Sequence, residues 1–222
     1  MILFNFIAMA ILFSANHGCV VACLSLATAR LGSVGAWQSG LLYATYSFSG
    51  IAGSTYVVKE LGPRNALIAG MGLYCGYVAA FWSATTFPEF ETTAALIGAL
   101  LGGIGAGFLW TAQGAYFAAS SEHYPIEDAS AQLAGIFAFI YLISEVALRS
   151  LSTLLLQTFH VEWSFIFGVY ACIAVVSTLL MALVKDIEKQ NDDEPASAWY
   201  KLTAAWQLLR YDPKMKYLIG MN

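Results

Sequence analysis

Charged residues are scarce in this sequence. Lysine and arginine number 10 and aspartate and glutamate 14, so charged side chains make up 11% of the 222 residues. Soluble domains usually carry about 25% charged residues, because these side chains cover a surface that faces water. The scarcity excludes an ordinary soluble domain. The formal net charge of −4 says little about partners, and we expect no nucleic acid among them.

Residues that bind metals or carry out catalysis are also few. The sequence has four cysteines and three histidines, and Cys19 and Cys23 lie one helical turn apart with His17 nearby. No third and fourth ligand converges on these cysteines, so we expect packing residues and no metal site. The glycine run GGIGAG lies inside an apolar helix rather than between a strand and a helix, which excludes a phosphate-binding loop. We therefore expect neither an enzyme nor a cofactor site.

Long apolar runs, in contrast, fill most of the sequence. Hydrophobic residues make up 59% of the chain. They come in blocks of about 20 or more, the length that crosses a bilayer core of about 30 Å. The sequence therefore predicts an all-α integral membrane protein with six transmembrane helices. The predicted helices are Ile2–Leu26, Ala36–Val58, Ala66–Thr86, Thr93–Ala119, Ser130–Phe159 and Ser164–Val184.

The composition changes after Val184. We expect 1–184 to form the helical bundle and the charged stretch 185–217 to form a cytoplasmic linker, in which 197–210 has the spacing of an amphipathic surface helix. Residues 218–222 then resemble the start of a seventh helix. Six helices followed by a charged linker are the layout of one half of a major facilitator fold. We therefore expect the C-terminal half of the same protein as a partner, and a six-helix protein with a short tail is the alternative.

The distribution of basic residues indicates the orientation of the helices. Eight of the ten lysines and arginines lie on one side, because Lys59 and Arg64 follow the second predicted helix and six others lie in 185–216. Only Arg30 falls in a loop on the opposite side, and Arg149 lies inside the fifth helix. Because basic loops tend to stay in the cytoplasm, we expect a multi-pass protein with both termini cytoplasmic.

The fourth predicted helix carries small residues at helical spacing. On a helical wheel Gly103, Gly107 and Gly114 share one face with Trp110, and Gln113 lies at its edge. Small residues let two helix backbones approach closely, because lipid supplies no hydrophobic drive for helix association. We interpret this face as a helix–helix contact. A Gln113 that lines a cavity is the functional alternative to one that bonds a neighbouring helix.

The fifth predicted helix carries two charges at membrane depth. Tyr141, Glu145, Arg149 and Ser152 follow one stripe by three- and four-residue spacing. A charged residue at the bilayer centre costs at least about 2.5–3.5 kcal/mol unless it is paired or hydrated. Glu145 and Arg149 can pair, which makes them a candidate functional site. The alternatives are a structural pair that fixes the bundle and an Arg149 that reaches outward to the membrane surface.

Two further groups of polar residues stand out in the first two helices. Asn16 and His17 in the first helix and Tyr43 in the second are candidates for lining a cavity. Trp37 and Gln38 are expected at the membrane interface instead, where tryptophan is enriched.

The loop KELGPRN (59–65) joins the second and third predicted helices. Gly62, with the proline that follows it, allows a tight turn, and Arg64 supplies a cytoplasmic positive charge. The loop looks like a degenerate major facilitator loop motif, although Lys59 stands near the place of the acidic residue that opens that motif. An ordinary positively charged loop is the alternative.

Four stretches, in order along the chain, carry a resemblance to a known family. They are LLYATYSFSGI (41–51), VVKELGPRNALIAGMGLY (57–74), GAGFLWTAQGAYFA (105–118) and YDPKMKYLIGMN (211–222). The third is the most specific, with Trp110, Thr111, Gln113, Gly114 and Tyr116 in matching places. On these stretches the sequence resembles the N-terminal half of the Unc-ninety-three-like, or ion channel regulatory protein, branch of the major facilitator superfamily.

The resemblance implies two functions for a membrane-embedded helical protein. The first is transport of a small solute or ion across the bilayer. The alternative is a non-transporting regulatory or trafficking subunit whose partner is an ion channel or receptor. The family usually has a small-polar Gly-Asn type step in the fifth helix, where this chain has Leu148 and Arg149, so the resemblance carries over no site in that helix.

Overall fold

No proline lies inside the apolar runs, and the described part of the chain is accordingly almost entirely helical. A computed structural model describes residues 1–187 and 210–211. The chain forms two units, Met1–Glu188 and Lys189–Asn222. Only Arg210 and Tyr211 of the second unit are described.

Six α-helices and one short 3-10 turn make up the described part of the first unit. The helices are α1 (Ile2–Ala52), α2 (Ser54–Leu61), α3 (Pro63–Thr86), α4 (Glu91–His123), α5 (Ala129–Thr158) and α6 (Trp163–Met181). Five of them, all except α2, are long and apolar enough to cross a membrane, and no strand occurs in the described residues. The predicted all-α fold of a multi-pass integral membrane protein is confirmed.

The 51-residue helix α1 contains a sharp bend. Gly32 adopts a φ of 54°, which glycine tolerates because it has no Cβ. A Cβ on Gly35 would overlap the carbonyl oxygen of Ala27, although residues eight apart in a straight helix lie about 12 Å from each other. The chain therefore folds back at Gly32 into a first arm (2–31) and a second arm (33–52).

The interruptions between helices differ from those that the sequence predicts. The segment ARLGSVG, predicted as a loop, is helical except at Gly32. The predicted continuous helix Ala36–Val58 is wrong, because the helix stops at Ala52 and α2 begins at Ser54. At Gly32 the sequence predicts an interruption but not its form. At Gly53 the hydrophobic patterning continues, so the local change of the backbone there leaves no trace in it.

Helix α4 packs closely against α3 and the second arm. Gly70 of α3 and Gly105 of α4 face each other, since a Cβ on either would lie 3.0–3.1 Å from the other's carbonyl oxygen. A Cβ on Gly103 would lie 2.6 Å from the carbonyl oxygen of Leu42 in the second arm, and one on Gly107 would overlap the Ser49 hydroxyl. The glycines therefore permit the close approach of backbones that holds a membrane bundle together.

Helix α5 is the least covered of the long helices. Only 6% of its most apolar stretch is buried, against 33–61% in the other four. Leu148 packs at Gly18 of the first arm. From α6, the Tyr170 hydroxyl donates to the carbonyl oxygen of Leu148 (2.8 Å) and contacts the Oγ of Ser152 (2.7 Å). α5 is therefore attached along one edge and leaves its outer face uncovered by described residues.

The segment that follows α6 (182–187, the post-α6 segment) is bonded to the base of the bundle. The Tyr116 hydroxyl of α4 donates to the carbonyl oxygen of Lys185 over 2.8 Å. Arg64 of α3 donates to the carbonyl oxygen of Val184 over 3.4 Å. Beyond residue 187, the predicted linker and its amphipathic helix lie almost wholly outside the described residues, and so does the predicted start of a seventh helix.

Candidate functional site

Aromatic rings from four helical segments surround His17 halfway along the first arm. The ring centroid of His17 lies 5.6 Å from Tyr74 of α3, 5.2 Å from Trp110 of α4 and 5.4 Å from Tyr141 of α5. Phe13, one turn earlier in the first arm, stacks on His17 at 5.8 Å. We call these five residues the histidine cluster. The cluster joins helices far apart in sequence, and the sequence itself reveals only the four-residue spacing of Phe13 and His17.

One polar atom inside the histidine cluster has no hydrogen-bond partner among the described residues. His17 is 8% exposed, and its Nδ1 makes no hydrogen bond to any described residue. A buried polar atom without a partner costs about 1–3 kcal/mol. An apolar side chain at this position would avoid that cost, so the imidazole marks the cluster as a candidate site.

Asn16 ties the first arm to α6. Its Nδ2 donates to the carbonyl oxygen of Ala174 (3.0 Å) and to the Oγ1 of Thr178 (3.1 Å), and it lies 3.8 Å from the sulfur of Cys75. Asn16 is completely buried, and its Oδ1 has no partner in the described part of the chain. Asn16 was predicted to line a cavity, and the structure instead packs its side chain between the first arm, α3 and α6.

Two residues of the second arm lie in different surroundings from those expected. Tyr43 is 56% exposed, and no ring contact joins it to the histidine cluster. Gln38, expected at the membrane interface, is fully buried and donates from Nε2 to the hydroxyl of Tyr77 over 2.8 Å. Gln38 therefore faces α3 inside the bundle, and its expected level at the membrane interface stays a prediction.

The most specific stretch of α4 divides between packed and open positions. Trp110 enters the histidine cluster, and Thr111 donates to the hydroxyl of Ser54 in α2 over 2.9 Å. Gln113 is half-buried and makes no hydrogen bond to a described residue. Gly114 is exposed, and a Cβ there would meet nothing within 4 Å. The helix contact expected at Gly114 is therefore not formed with the described residues.

Glu145 and Arg149 form the expected ion pair on α5. The Arg149 Nη2 lies 2.6 Å from the Glu145 Oε1. The Arg149 side chain is 48% exposed and the Glu145 side chain is 20% exposed. Tyr141, one turn before Glu145, belongs to the histidine cluster. The pair therefore lies beside that cluster, on the helix with the most open face.

The turn before α3 contacts the post-α6 segment. Gly62 has a φ of 76°, and a Cβ there would lie 3.3 Å from the Asp186 carboxylate. The Arg64 backbone N–H donates to the Oδ1 of Asp186 over 3.4 Å. Gly62 and Arg64 thus have a structural role at one end of the bundle. Among the described residues, no group of three or more histidines, cysteines or acidic residues is placed to hold a metal ion.

Comparison with known proteins places most of the chain in one family. The model of the family described as "Ion channel regulatory protein UNC-93" matches residues 33–219. The match includes the second arm and every later described helix, and it begins directly after the bend at Gly32. A search of curated proteins returned no match.

Proposed function

Because the chain belongs to the UNC-93 family of ion channel regulatory proteins, we propose that it regulates an ion channel by binding it within the membrane. Regulation of this kind needs a helix face that a channel helix can cover, and it needs no catalysed reaction. The open face of α5 is the observation that carries the proposal.

The outer face of α5 is built from large apolar side chains. Phe139, Leu142 and Val146 are 66%, 58% and 63% exposed, and Ile143 lies among them. Helix association in lipid depends on van der Waals packing and on polar contacts between helices. The apolar face of α5 offers van der Waals packing, and Glu145 beside it offers a polar contact. A channel helix packed here would cover both.

The test places a photo-crosslinking amino acid at Phe139 of the full chain in cells. We expect crosslinks to a channel subunit, and mass spectrometry would identify that subunit. The subunit is then co-expressed with this protein, and the channel current is recorded. The matched control carries the same crosslinker at Leu179 on α6, which is 68% exposed but lies away from α5.

A double variant, Phe139→Ala with Ile143→Ala, tests the contact energetically. Loss of about 1 kcal/mol of helix packing corresponds to about fivefold weaker association, so the effect on the current should shrink. Leu179→Ala should leave the current effect unchanged. Equal crosslinking from Phe139 and Leu179 would contradict the proposal. So would a double variant that changes the channel current as much as the unaltered protein does.

A second candidate function is transport of a small solute or ion. The histidine cluster supports it, because intramembrane polar groups without partners are functional candidates and transporter sites lie near the bilayer midplane. Flux into vesicles that contain the purified protein, measured over a broad solute panel, tests this candidate. Flux that His17→Ala abolishes would favour transport, whereas no flux for any solute would count against it.

We also propose that both termini face the cytoplasm. The support is the excess of basic residues on one side of the bundle. In a variant lacking the native cysteines, Glu162→Cys should react with an impermeant maleimide on intact cells. Lys59→Cys should react only after the membrane is opened. The reverse pattern would overturn this orientation.

We further propose that the bundle is one half of a major facilitator fold, with a second six-helix half as its partner. The support is the six spanning segments that the bend at Gly32 produces from five long helices. Transcript sequence beyond this chain tests the idea, because a second set of six apolar spans is expected there. A transcript that ends without them would contradict it.

A further inference from the structure

We propose that the partner helix which covers α5 presents a side-chain carboxamide, from asparagine or glutamine, to the Glu145–Arg149 pair. This partner chemistry rests on the proposed function, in which a channel helix binds the outer face of α5. Leu142 and Val146 of that face each lie three residues before a member of the pair, a spacing that makes them its neighbours on the helix surface. A helix packed on Leu142 and Val146 would therefore contact the pair as well.

The ion pair belongs to the middle of α5 and not to its end. Glu145 lies about 20 Å before Thr158, the last residue of the helix, at a rise of about 1.5 Å per residue. The Arg149 Nη2 bonds to the Glu145 Oε1, and this bond directs the guanidinium towards the middle of the helix and away from the nearer end. Lipid headgroups begin about 15 Å from the bilayer centre, so a neighbouring helix is the nearest source of a polar partner.

The pair has hydrogen-bonding capacity that the described residues leave unused. A guanidinium has five N–H donors, and that of Arg149 gives one of them to a described residue, through Nη2 to Glu145. The Glu145 carboxylate accepts only this bond from the described residues, although its two oxygens can accept about four. Both side chains are partly exposed. In lipid, unused polar groups cost free energy, and a polar partner at this depth would recover it.

The charge of the pair decides which polar side chain fits it. Glu145 and Arg149 carry opposite single charges, so the pair is neutral. A carboxylate or an ammonium group on the partner would leave an unbalanced charge inside the membrane, which is costly. A carboxamide adds no charge, and its carbonyl oxygen can accept from Arg149 while its NH₂ group donates to Glu145. A hydroxyl is also neutral, but it would have to serve both groups from a single oxygen atom.

The test measures how model transmembrane peptides associate with the purified full chain in phosphatidylcholine vesicles, by energy transfer between dyes on the two. One peptide is a leucine helix, and the others carry one asparagine at its centre, one aspartate at its centre or one asparagine near its end. The central asparagine should strengthen binding about fivefold over the leucine helix, the size expected of one or two interhelical hydrogen bonds in a membrane. The other two peptides should gain less.

Two variants locate this preference on the ion pair. Glu145→Met with Arg149→Met removes both charges together, so no unpaired charge remains to disturb the fold. The double variant should bind the leucine helix as before and should lose the preference for central asparagine. Unchanged binding of the leucine helix shows that the outer face is intact. Gln157→Leu, in the last turn of α5, is the matched control and should keep the full preference.

Four results would each overturn the partner chemistry. They are equal binding of the leucine and central-asparagine helices, which is expected if water satisfies the pair; equal binding of the central- and terminal-asparagine helices; tighter binding of the aspartate helix; and a preference for asparagine that survives the double variant. The comparison of the peptides needs no variant and no channel. A preference for central asparagine without crosslinks from Phe139 to a channel would count against the channel and for the carboxamide. Crosslinks to a channel without this preference would do the reverse.

Discussion

Helices α4 and α5 are both long and apolar, with 33 and 30 residues, but they pack in different ways. α4 contains six glycines and α5 contains one. At Gly103 and Gly107 the backbone of α4 almost touches the second arm, whereas a Cβ on Gly135 of α5 would meet nothing within 4 Å. Both helices have apolar surfaces, so hydrophobicity alone does not explain why one is central and the other peripheral.

The difference shows what decides helix packing in this bundle. In lipid, a helix gains little by burying leucine or phenylalanine, because the acyl chains are equally apolar. Close contact between backbones gains dispersion energy, and glycine permits that contact. α5 keeps large side chains on its outer face, and it therefore remains open to a partner or to lipid.

The largest expected effect comes from adding one methyl group at matched glycines of the two helices. Gly103→Ala places a Cβ 2.6 Å from the carbonyl oxygen of Leu42, and overpacking of this kind costs about 1–3 kcal/mol. Gly135→Ala has open space and should stabilise its helix by up to about 1 kcal/mol. Thermal unfolding midpoints in detergent measure both. Shifts of the same sign would show that the glycines do not distinguish α4 from α5.

A smaller effect is expected where α5 is attached to α6. Tyr170→Phe removes the hydroxyl that donates to the carbonyl oxygen of Leu148, at a cost of about 1 kcal/mol. Hydrogen exchange should quicken in α5 near Leu148 and stay unchanged in α4. Tyr56→Phe, at an exposed position, is the control. If exchange quickens equally in α4, the two helices are not attached independently.

The smallest effect concerns the contact between α4 and α2. Thr111→Val removes the hydrogen bond to Ser54, and interhelical bonds in membranes average about 0.6 kcal/mol. The unfolding midpoint should fall slightly, and Ser47→Ala, whose hydroxyl bonds only its own helix over 3.0 Å, should not lower it. A large fall with Thr111→Val would place Thr111 among the main supports of α4.

The spanning segments could be predicted because bilayer thickness imposes a length that apolar runs reveal. The start of α3 and the end of α5 lie within a few residues of their predicted positions. The form of the bend at Gly32 could not be predicted, because the same residues are compatible with a short loop and with a single glycine at positive φ. Gly53 is a similar case, since a glycine inside an apolar run does not reveal whether it breaks the helix.

The candidate site was predictable only where one helix determines it. The Glu145–Arg149 pair follows from four-residue spacing, and helical geometry places Trp110 on a packed face. The partners of Trp110 come from helices distant in sequence, which no local pattern identifies. The packing expected at Gly114 is not formed with the described residues, because the second arm ends at Ala52 and meets α4 near Gly107, short of Gly114.

The bonds of the post-α6 segment have a mechanical consequence. Tyr116 binds the carbonyl oxygen of Lys185, and Arg64 binds that of Val184. A pull on the chain beyond residue 187 would therefore be shared between α3 and α4 before it reached the last turn of α6. The end of α6 is thus braced by two other helices, and tension from the chain that follows would act on the glycine-packed centre of the bundle.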